Sequence, residues 1–508
     1  MTDLSQARIP PYNHQIVGTE ALIRWDNQEA GRMFGGCFGL FDEMGAGKTK
    51  QTIDAAQALY QQGEIDTVLV VAPSSVRPVW FDQELGELAK HLWLSCPSIV
   101  TEYRPKIRQW HHGKTAGPAL VWIITNYEFI RGNEDRLEYM ESFCTKKTLL
   151  VLDESSAIKS HRAKQTKACY RLRKKCGRIV ILNGTPVSNS PADLYSQMHM
   201  LHPKILDCKN FFIFRAKYAV MGGFMKKQVV SWNNLEEIQQ KVAPYVLRRL
   251  KIDCLDLPPK LPPVILTATL TKETWKLYKE LRDELCAWLD QQTVVATPQA
   301  AVKAMRLAQI TSGFLGGLQT QYEDEEEHEA TPPREISREK LDLLLEWIDE
   351  QIVIDPNFKL LVWSRFRPEV GRLSQILIEK KQATIGLIWG GQKREERGES
   401  LRLLDPRTTP PGPVIVCGIS AAGAMGLTLA AAHNVVYISN SYSLMTRLQS
   451  MDRVHRPGQV FPVSYFDIVA TGPSGQKTVD HLVVKALRTK EDLATWTTKA
   501  WVQALREE

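Results

Sequence analysis

The sequence predicts an α/β protein of two tandem lobes, each built on a parallel sheet. Helical insertions separate the lobes, and a helical tail follows the second. Three observations predict this. Short continuous apolar runs, such as Thr67 to Ala72 (TVLVVA), alternate with helical segments, the pattern of strands buried on both faces. Polar residues stand directly after each run, where open α/β sheets place their ligands. The whole arrangement then recurs in the second half of the chain, beyond a helical, Pro-punctuated middle.

In order, Arg8 to Trp25 reads as a turn feeding a helix. Cys37 to Phe41 is a strand, and it leads into Asp42 to Ile53 (DEMGAGKTKQTI). A strand, a Gly-rich turn and a helix N-terminus make an anion site, because backbone N–H groups and the helix dipole both favour negative charge. Lys48 would reach the β- and γ-phosphates of ATP and the Thr49 hydroxyl would bind Mg²⁺. Asp42 occupies the place of the first Gly of the general P-loop pattern, so this stretch alone also fits an ordinary Gly turn. Thr67 to Ala72, Leu120 to Thr125, Thr148 to Leu152 and Arg178 to Leu182 are further strands. The third of these ends on Asp153 and Glu154. An Asp there can hold Mg²⁺ through water and the Glu can orient an attacking water, although two acids in a strand-to-helix turn have the same appearance.

Pro203 to Leu250 reads as aromatic-rich, helical and basic, and Leu257 to Pro263 (LPPKLPP) as a stiff hinge. Helices are expected from Lys272 to Gln292 and from Pro298 to Ile310, and Glu323 to Glu329 as a solvated acidic connector. The second unit opens with an amphipathic helix, Leu341 to Ile352. Its strands are Lys359 to Trp363, Thr384 to Trp389, Pro413 to Cys417 and Asn434 to Ile438, and a helical tail covers Thr478 to Leu505. The expected boundaries are 1–202 for the first lobe, 203–256 for its helical protrusion and 257–337 for the hinge, second protrusion and acidic loop. The second lobe takes 338–472 and the C-terminal helical brace 473–508.

Composition is that of a globular chain able to bury real cores, with 44% apolar and 24% charged residues over 508. The net charge, 64 − 57 = +7, leans towards nucleic acid without establishing it. Nine cysteines without a CxxC pair suggest neither a zinc site nor a disulfide framework, and fit a reducing compartment. The N-terminus lacks the apolar core of a secretory signal. The most apolar window, Val414 to Ile438, is interrupted by Gly418, Ser420, His433 and Asn434. It reads as strand, loop and strand rather than a membrane span.

Two further stretches invite a functional reading. In QSMDRVHRPGQ (Gln449 to Gln459), Arg453 and Arg456 are three apart, so one helical face can present both to a γ-phosphate; a solvated basic helix end has the same spacing. Lys164, Lys167, Arg171, Lys174, Lys175 and Arg178 recur at helical steps, as either a phosphate-contacting stripe or a solvated face. Trp110, Trp122, Trp347 and Trp389 lie in or near apolar elements and read as core.

Taken together, the chain resembles the Swi/Snf family of DNA-translocating ATPases within helicase superfamily 2. The resemblance rests on PYNHQ, DEMGAGKTKQTI, VVAPSSVRPVW, ITNYE, DESS, LNGTPVSN, YVLRRLK, VWSRF, GISAAGAMGLTLAAA and QSMDRVHRPGQ, which keep the family's order from Gln15 to Gln459. It implies two RecA-like lobes with ATP between them. It also implies that Gln15 reads the adenine edge and that Glu43, Met44, Gly45, Ala46, Gly47, Lys48, Thr49 and Lys50 hold the triphosphate and Mg²⁺. Asp153 would act through Mg²⁺ and Glu154 as the base on water. Thr185 would couple nucleotide state to DNA grip, and Gly426, Gln449, Arg453 and Arg456 would complete the site from the second lobe. Ser74, Ser75, Thr125, Asn126, Ser364, Arg365 and Ser420 stand at DNA-facing motif positions. The chain departs from the family at Ser155 and Ser156, which follow Asp-Glu where a small residue or His and then His are usual. Asn183 replaces a common Thr, Thr428 a common Asn, and Ala421 a frequent Arg or Lys.

The resulting expectation is an ATP-dependent translocase on double-stranded DNA, monomeric and not membrane-bound. Its lack of chromatin-reading, nuclease or zinc-finger segments resembles compact bacterial or bacteriophage members. The expected location is the cytoplasm of a bacterium or infected cell, or the nucleus if the source is eukaryotic. The rival readings are a strand-separating or branch-migrating helicase on forked or junction DNA, and an ATP-gated nucleic-acid- or polymerase-binding module with little turnover.

Overall fold

The computed structural model describes residues 4–24, 36–84, 86–103, 106–113, 117–187, 190–222, 228–291, 298–316, 332–421, 428–489 and 491. The chain divides after Asp256 into two units, and each has its own sheet.

In the first unit the strands are β1 (Cys37–Leu40), β2 (Thr67–Ala72), β3 (Ser98–Glu102), β4 (Arg108–His112), β5 (Leu120–Asn126), β6 (Thr148–Leu152), β7 (Arg178–Leu182), β8 (Ala219–Gly222), β9 (Gln228–Trp232) and β10 (Val246–Leu247). Eight of them form one sheet in the order β10-β1-β7-β6-β2-β5-β3-β4. All neighbours are parallel except β3 and β4. Successive residues serve opposite cores. Leu69, Val71, Leu150 and Leu152 pack on one face, while Val68, Val70, Ala72, Leu149 and Val151 pack on the other. Each of these Val and Leu side chains contributes about 1.5–3 kcal/mol of burial, which makes every central strand a near-continuous apolar run.

The sequence reading missed β3 and β4. They lie at the sheet's edge, and Arg108–His112 is mostly exposed, so no apolar run marks that strand. The segment 203–256 is also more than a helical protrusion. It contains the antiparallel hairpin β8–β9, with a bulge at Val220 and Met221, and it returns as β10 beside β1.

The second unit contributes β11 (Val264–Thr269), β12 (Phe314–Leu315), β13 (Arg334–Glu335), β14 (Lys359–Ser364), β15 (Thr384–Ile388), β16 (Val414–Ile419), β17 (Asn434–Tyr437) and β18 (Ser464–Thr471). Six form an all-parallel sheet, β11-β18-β17-β14-β16-β15, packed between two apolar clusters. Two of its strands were not expected. β11 follows directly on the Pro-rich segment read as a hinge. β18 carries Asp467 in its middle, which breaks the apolar signal; Arg447 neutralises that carboxylate at 2.6 Å. The helices Lys272–Gln291, Pro298–Thr311 and Glu339–Ile354 follow the sequence pattern closely. Residues 479–489 are helical, whereas most of the expected C-terminal brace and the acidic connector Glu323 to Glu329 lie outside the described residues. Both sheets are the RecA-like α/β arrangement that the sequence predicted.

Candidate functional site

Because the strands of the first unit run parallel, the loops after β1, β2, β5, β6 and β7 all emerge at one edge. That edge collects the P-loop, Pro73 to Ser75, Asn126, Asp153 with Glu154, and Asn183 to Thr185. β7 lies between β1 and β6, so Thr185 emerges between the P-loop and the acidic pair.

The P-loop turns on Gly45 (φ 80°) and Gly47 (φ 79°), conformations that L side chains avoid. The helix Lys48–Gln61 starts directly after Gly47, so the N–H groups of Lys48, Thr49 and Lys50 open its first turn. Lys48 Nζ donates to the carbonyls of Asp42 (2.8 Å) and Glu43 (3.2 Å), across the mouth of the loop. Thr49 is half-buried at the same place. Gln15 lies over Gly47, where an added Cβ would stand 2.2 Å from its Nε2, and Gln15 Oε1 accepts from Tyr12 N at 3.1 Å. His14 Nε2 meets Ala46 O at 2.9 Å, which docks the Asn13–Arg24 helix on the loop. Met44 packs against Gly184, which could not carry a Cβ without approaching Met44 Cγ to 2.5 Å. The Lys50 side chain turns inwards to Asp54 at 2.7 Å, so only its backbone N–H remains for a phosphate.

Asp42, read from sequence as a departure from the P-loop pattern, is a fully buried carboxylate. Arg249, from YVLRRLK, donates to both its oxygens, with Nε to Oδ1 at 2.9 Å. Arg249 also donates to Gln51 Oε1 at 2.8 Å and to the His14 carbonyl. Gly18 leaves room for this cluster, since a Cβ there would meet Gln51 Oε1 at 1.8 Å. Arg248 beside it donates to the carbonyls of Phe41 (2.8 Å) and Gly184 (3.2 Å); burial lowers its pKa to about 10 against the charges of Glu43 and Asp42.

Asp153 is 7% exposed. Its Oδ2 accepts from the indole Nε1 of Trp80 at 2.7 Å and its Oδ1 from Glu154 N at 2.9 Å. Burial raises its pKa, while the Trp80 hydrogen bond, the Lys48 charge and the Glu154 N–H hold it down. The order β1-β7-β6 places the P-loop and the end of β6 at the same side of the sheet, one strand apart. Glu154 takes a left-handed backbone (φ 49°), a strained state for a residue other than Gly and one found at functional turns. Each Asp153 oxygen keeps a second lone pair, so this carboxylate and the Thr49 hydroxyl suit a hard divalent cation held partly through water.

Two of the family departures are partners. Ser155 Oγ donates to Gln197 Oε1 at 2.7 Å, and Asn183 Nδ2 donates to the same oxygen at 3.0 Å and to Ser155 Oγ at 3.3 Å. The segments after β6 and β7 are thereby joined through side chains that differ from the family's usual set.

Among the positions expected to face DNA, Ser74 is exposed and Ser75 half-buried. Thr125 is fully buried and Asn126 is 6% exposed, where it caps the Tyr127–Gly132 helix. Thr185 is 8% exposed. In the expected basic stripe, Arg171 pairs with Glu141 (2.6 Å) and Glu134, Lys175 pairs with Glu141 (2.7 Å), and Arg178 lies in β7 against Glu64 at 3.3 Å. Lys164, Lys167 and Lys174 stay exposed on the Lys164–Lys175 helix, so the stripe narrows to three lysines.

In the second unit, Gln449 lies on the Leu444–Asp452 helix and is half-buried. The single helical face expected for Arg453 and Arg456 is not formed. The helix ends at Asp452 and both arginines lie in the following turn, as Pro457 disfavours helical backbone at Arg456. Arg453 is 7% exposed and its carbonyl accepts from Leu429 N at 2.9 Å. Arg456 Nε donates to Asp452 O at 2.8 Å and Nη2 lies 3.4 Å from Asp452 Oδ2. Gln459 fixes the turn through Ala432 O (2.8 Å) and Val454 O (3.3 Å). Ser364 is fully buried and donates to Glu369 Oε2 at 2.6 Å; Arg365 and Ser420 are half-buried. Gly426 lies outside the described residues.

Sequence reasoning gave no role to Trp80, Tyr127, Arg249 or Gln197. Trp80, Tyr127 and Arg249 stand inside quoted motifs, and the acid at Asp42 in place of a P-loop Gly was the one signal that a basic partner was needed.

The SNF2-related domain family matches residues 14–324 and the helicase conserved C-terminal domain matches residues 339–458. The chain is 25% identical over 466 residues to the ATP-dependent DNA helicase DDM1 of Arabidopsis thaliana, covering 89% of this chain and 58% of that protein. It is 25% identical over 540 residues to the human lymphoid-specific helicase, covering 93% and 61%. The chain therefore spans about three-fifths of these two relatives. Among solved structures, the Sulfolobus solfataricus SWI2/SNF2 ATPase core in complex with dsDNA aligns over 99% of this chain and 97% of its own, with 22% identity and a TM-score of 0.41. The chain belongs to the SNF2-related, Swi/Snf family of superfamily 2 helicases.

Proposed function

We propose that this chain is an ATP-driven translocase on double-stranded DNA that hydrolyses ATP to ADP and phosphate. The reading rests chiefly on one edge of the first sheet, where a P-loop with Lys48 across its mouth and the Asp153–Glu154 pair emerge one strand apart. Family membership supports the same reading. Gly45 to Thr49 would cradle the phosphates, with Gln15 beside Gly47 on the adenine edge. Thr49 and, through water, Asp153 would hold Mg²⁺, which would neutralise charge developing on the transferred phosphoryl group. Glu154 would orient and deprotonate the attacking water. Arg453 and Arg456 would stabilise the charge that develops in the transition state. Small polar groups and backbone amides at Ser74, Ser75, Asn126, Thr185, Arg365 and Ser420 suit backbone tracking without base readout.

A compact bacterial or bacteriophage motor is one setting for this activity; the relatives from Arabidopsis thaliana and human favour a eukaryotic, nuclear one, and the proposal holds in either. The protein would act as a monomer. Phosphate release measured against duplex, single-stranded and junction DNA and against RNA tests the proposal, with duplex giving the largest stimulation. The hairpin β8–β9 gives the strand-separating reading a physical candidate that the sequence did not. Unwinding of a fork at a rate comparable with duplex-stimulated turnover would favour that reading.

A further inference from the structure

The indole of Trp80 has no part in the chemistry proposed above, yet it spends its one hydrogen bond on the catalytic carboxylate. It is fully buried, and a buried Trp needs a polar partner; that partner is Asp153 Oδ2 at 2.7 Å. Trp80 belongs to the short helix Arg77–Phe81. This helix is continuous with the DNA-facing turn, since Pro73 O accepts from Val76 N at 2.9 Å and from Arg77 N at 3.0 Å. Its other contacts hold it as a rigid piece. Arg77 pairs with the fully buried Glu102 at 2.7 Å, and Phe81 O accepts from Trp110 Nε1 at 2.9 Å. One end of Pro73–Phe81 is thus the exposed Ser74, and the other end grips Asp153.

A second arm makes the same connection. Asn126 Nδ2 donates to Ser74 Oγ at 2.5 Å, and Ser74 Oγ donates to Glu128 Oε2 at 3.0 Å. The next residue, Tyr127, is 3% exposed and donates its hydroxyl to the Asp153 carbonyl at 2.8 Å. The side chain of Asp153 is therefore held from the helix that follows the Ser74 turn, and its backbone from the residue next to Asn126, the hydrogen-bond partner of Ser74.

We propose that Trp80 and Tyr127 are positioning residues that couple DNA contact at the Ser74 turn to the orientation of Asp153, and so set how strongly DNA stimulates ATP turnover. The inference rests on the translocase reading and adds to it the residues that carry the coupling. A shift of the Ser74 turn on a phosphate moves Pro73–Phe81 as a unit. The indole then re-aims Oδ2, and with it the lone pairs left for the Mg²⁺-bound water. Coupling of this kind is reciprocal between the two ligands, so it is visible in binding without turnover.

The test measures the affinity for a fluorescent non-hydrolysable ATP analogue with Mg²⁺, with and without saturating duplex DNA, alongside DNA-stimulated over basal phosphate release. Trp80→Phe keeps the buried ring and removes the donor. In that variant the DNA-induced change in nucleotide affinity, typically about 5- to 150-fold for coupled sites, falls to near unity. The stimulation ratio falls with it, while each ligand alone binds within about threefold of wild type, far less than the coupling that is lost. Tyr127→Phe gives a smaller loss of the same kind and carries the test alone if Trp80→Phe does not fold. Full coupling retained in both variants overturns the proposal. So does a collapse of nucleotide affinity without DNA, which would mark a purely structural role. Absence of any DNA effect in the wild type would instead defeat the translocase reading itself, and this proposal with it.

Discussion

Arg249 donates to both oxygens of Asp42, which stands 207 residues earlier at the mouth of the P-loop. The pair is a buried ionic clamp that ties the YVLRRLK segment to the P-loop. Removing one partner of a buried pair costs about 3–5 kcal/mol, because the other charge is left uncompensated. Arg249→Ala is therefore expected to lower the thermal midpoint markedly and to weaken ATP binding. Arg249→Lys should recover little, as an ammonium cannot span both carboxylate oxygens. Calorimetry with and without nucleotide checks this, and a wild-type midpoint in Arg249→Ala would contradict it.

Gln197 holds Ser155 and Asn183 together, and its amide also donates to Pro186 O and Asp193 O at 2.8 Å each. Gln197→Leu keeps the volume and strands several buried polar groups, at about 1–3 kcal/mol each. Asn183→Thr, which restores the residue common in the family, should also destabilise here, because Ser155 and Gln197 are matched to Asn183. Denaturant midpoints decide this; an unchanged midpoint for Asn183→Thr would mean that the triad is not a matched set.

Lys164, Lys167 and Lys174 are exposed, whereas Arg171 and Lys175 are engaged with Glu134 and Glu141. Neutralising Lys164 and Lys167 to Gln should flatten the salt dependence of duplex binding by about 1.8 units, at roughly 0.9 per phosphate contact. Arg171→Gln should leave that slope unchanged. Equal slopes for all variants would make the lysines a solvated face.

Glu369 is buried below Ser364 and Ser439, with Oε2 accepting from their hydroxyls at 2.6 and 2.5 Å. Burial raises its pKa above 4.5, against the Lys340 charge and these hydrogen bonds. The folded state then binds this proton more tightly than the unfolded chain, so the stability contributed is full below pH 4.5 and is lost as pH rises through the folded value. Glu369→Gln removes that dependence. The variant should gain on wild type above the window, and the difference should be flat below it. Unfolding curves taken across acid to neutral pH check the sign; parallel curves would exclude it.

Much of this was legible in the sequence because central parallel strands are buried on both faces and so write themselves as apolar runs. β2, β6 and β7 match their predicted bounds for that reason. Elements whose signal is diluted escaped: β4 is mostly exposed, β18 carries Asp467, and β10 is two residues long. At the site, the residues proposed to touch phosphate follow a local pattern and could be named. Those that hold them, Arg249, Trp80 and Gln197, act across long sequence separations and leave no spacing to read. The reading of Arg453 and Arg456 as one helical face failed because helical spacing was assumed up to Pro457, which ends it.

The central claim is that ATP turnover needs both Lys48 and Arg456 and is driven by duplex DNA. Phosphate release by wild type, Lys48→Ala and Arg456→Ala, each with and without duplex DNA, tests it most directly. The account predicts strong duplex stimulation in the wild type and a loss of about 10³–10⁵ in rate for Arg456→Ala, with turnover in Lys48→Ala near background. Near-normal ATPase in either variant, or a wild-type rate indifferent to every nucleic acid, would contradict it.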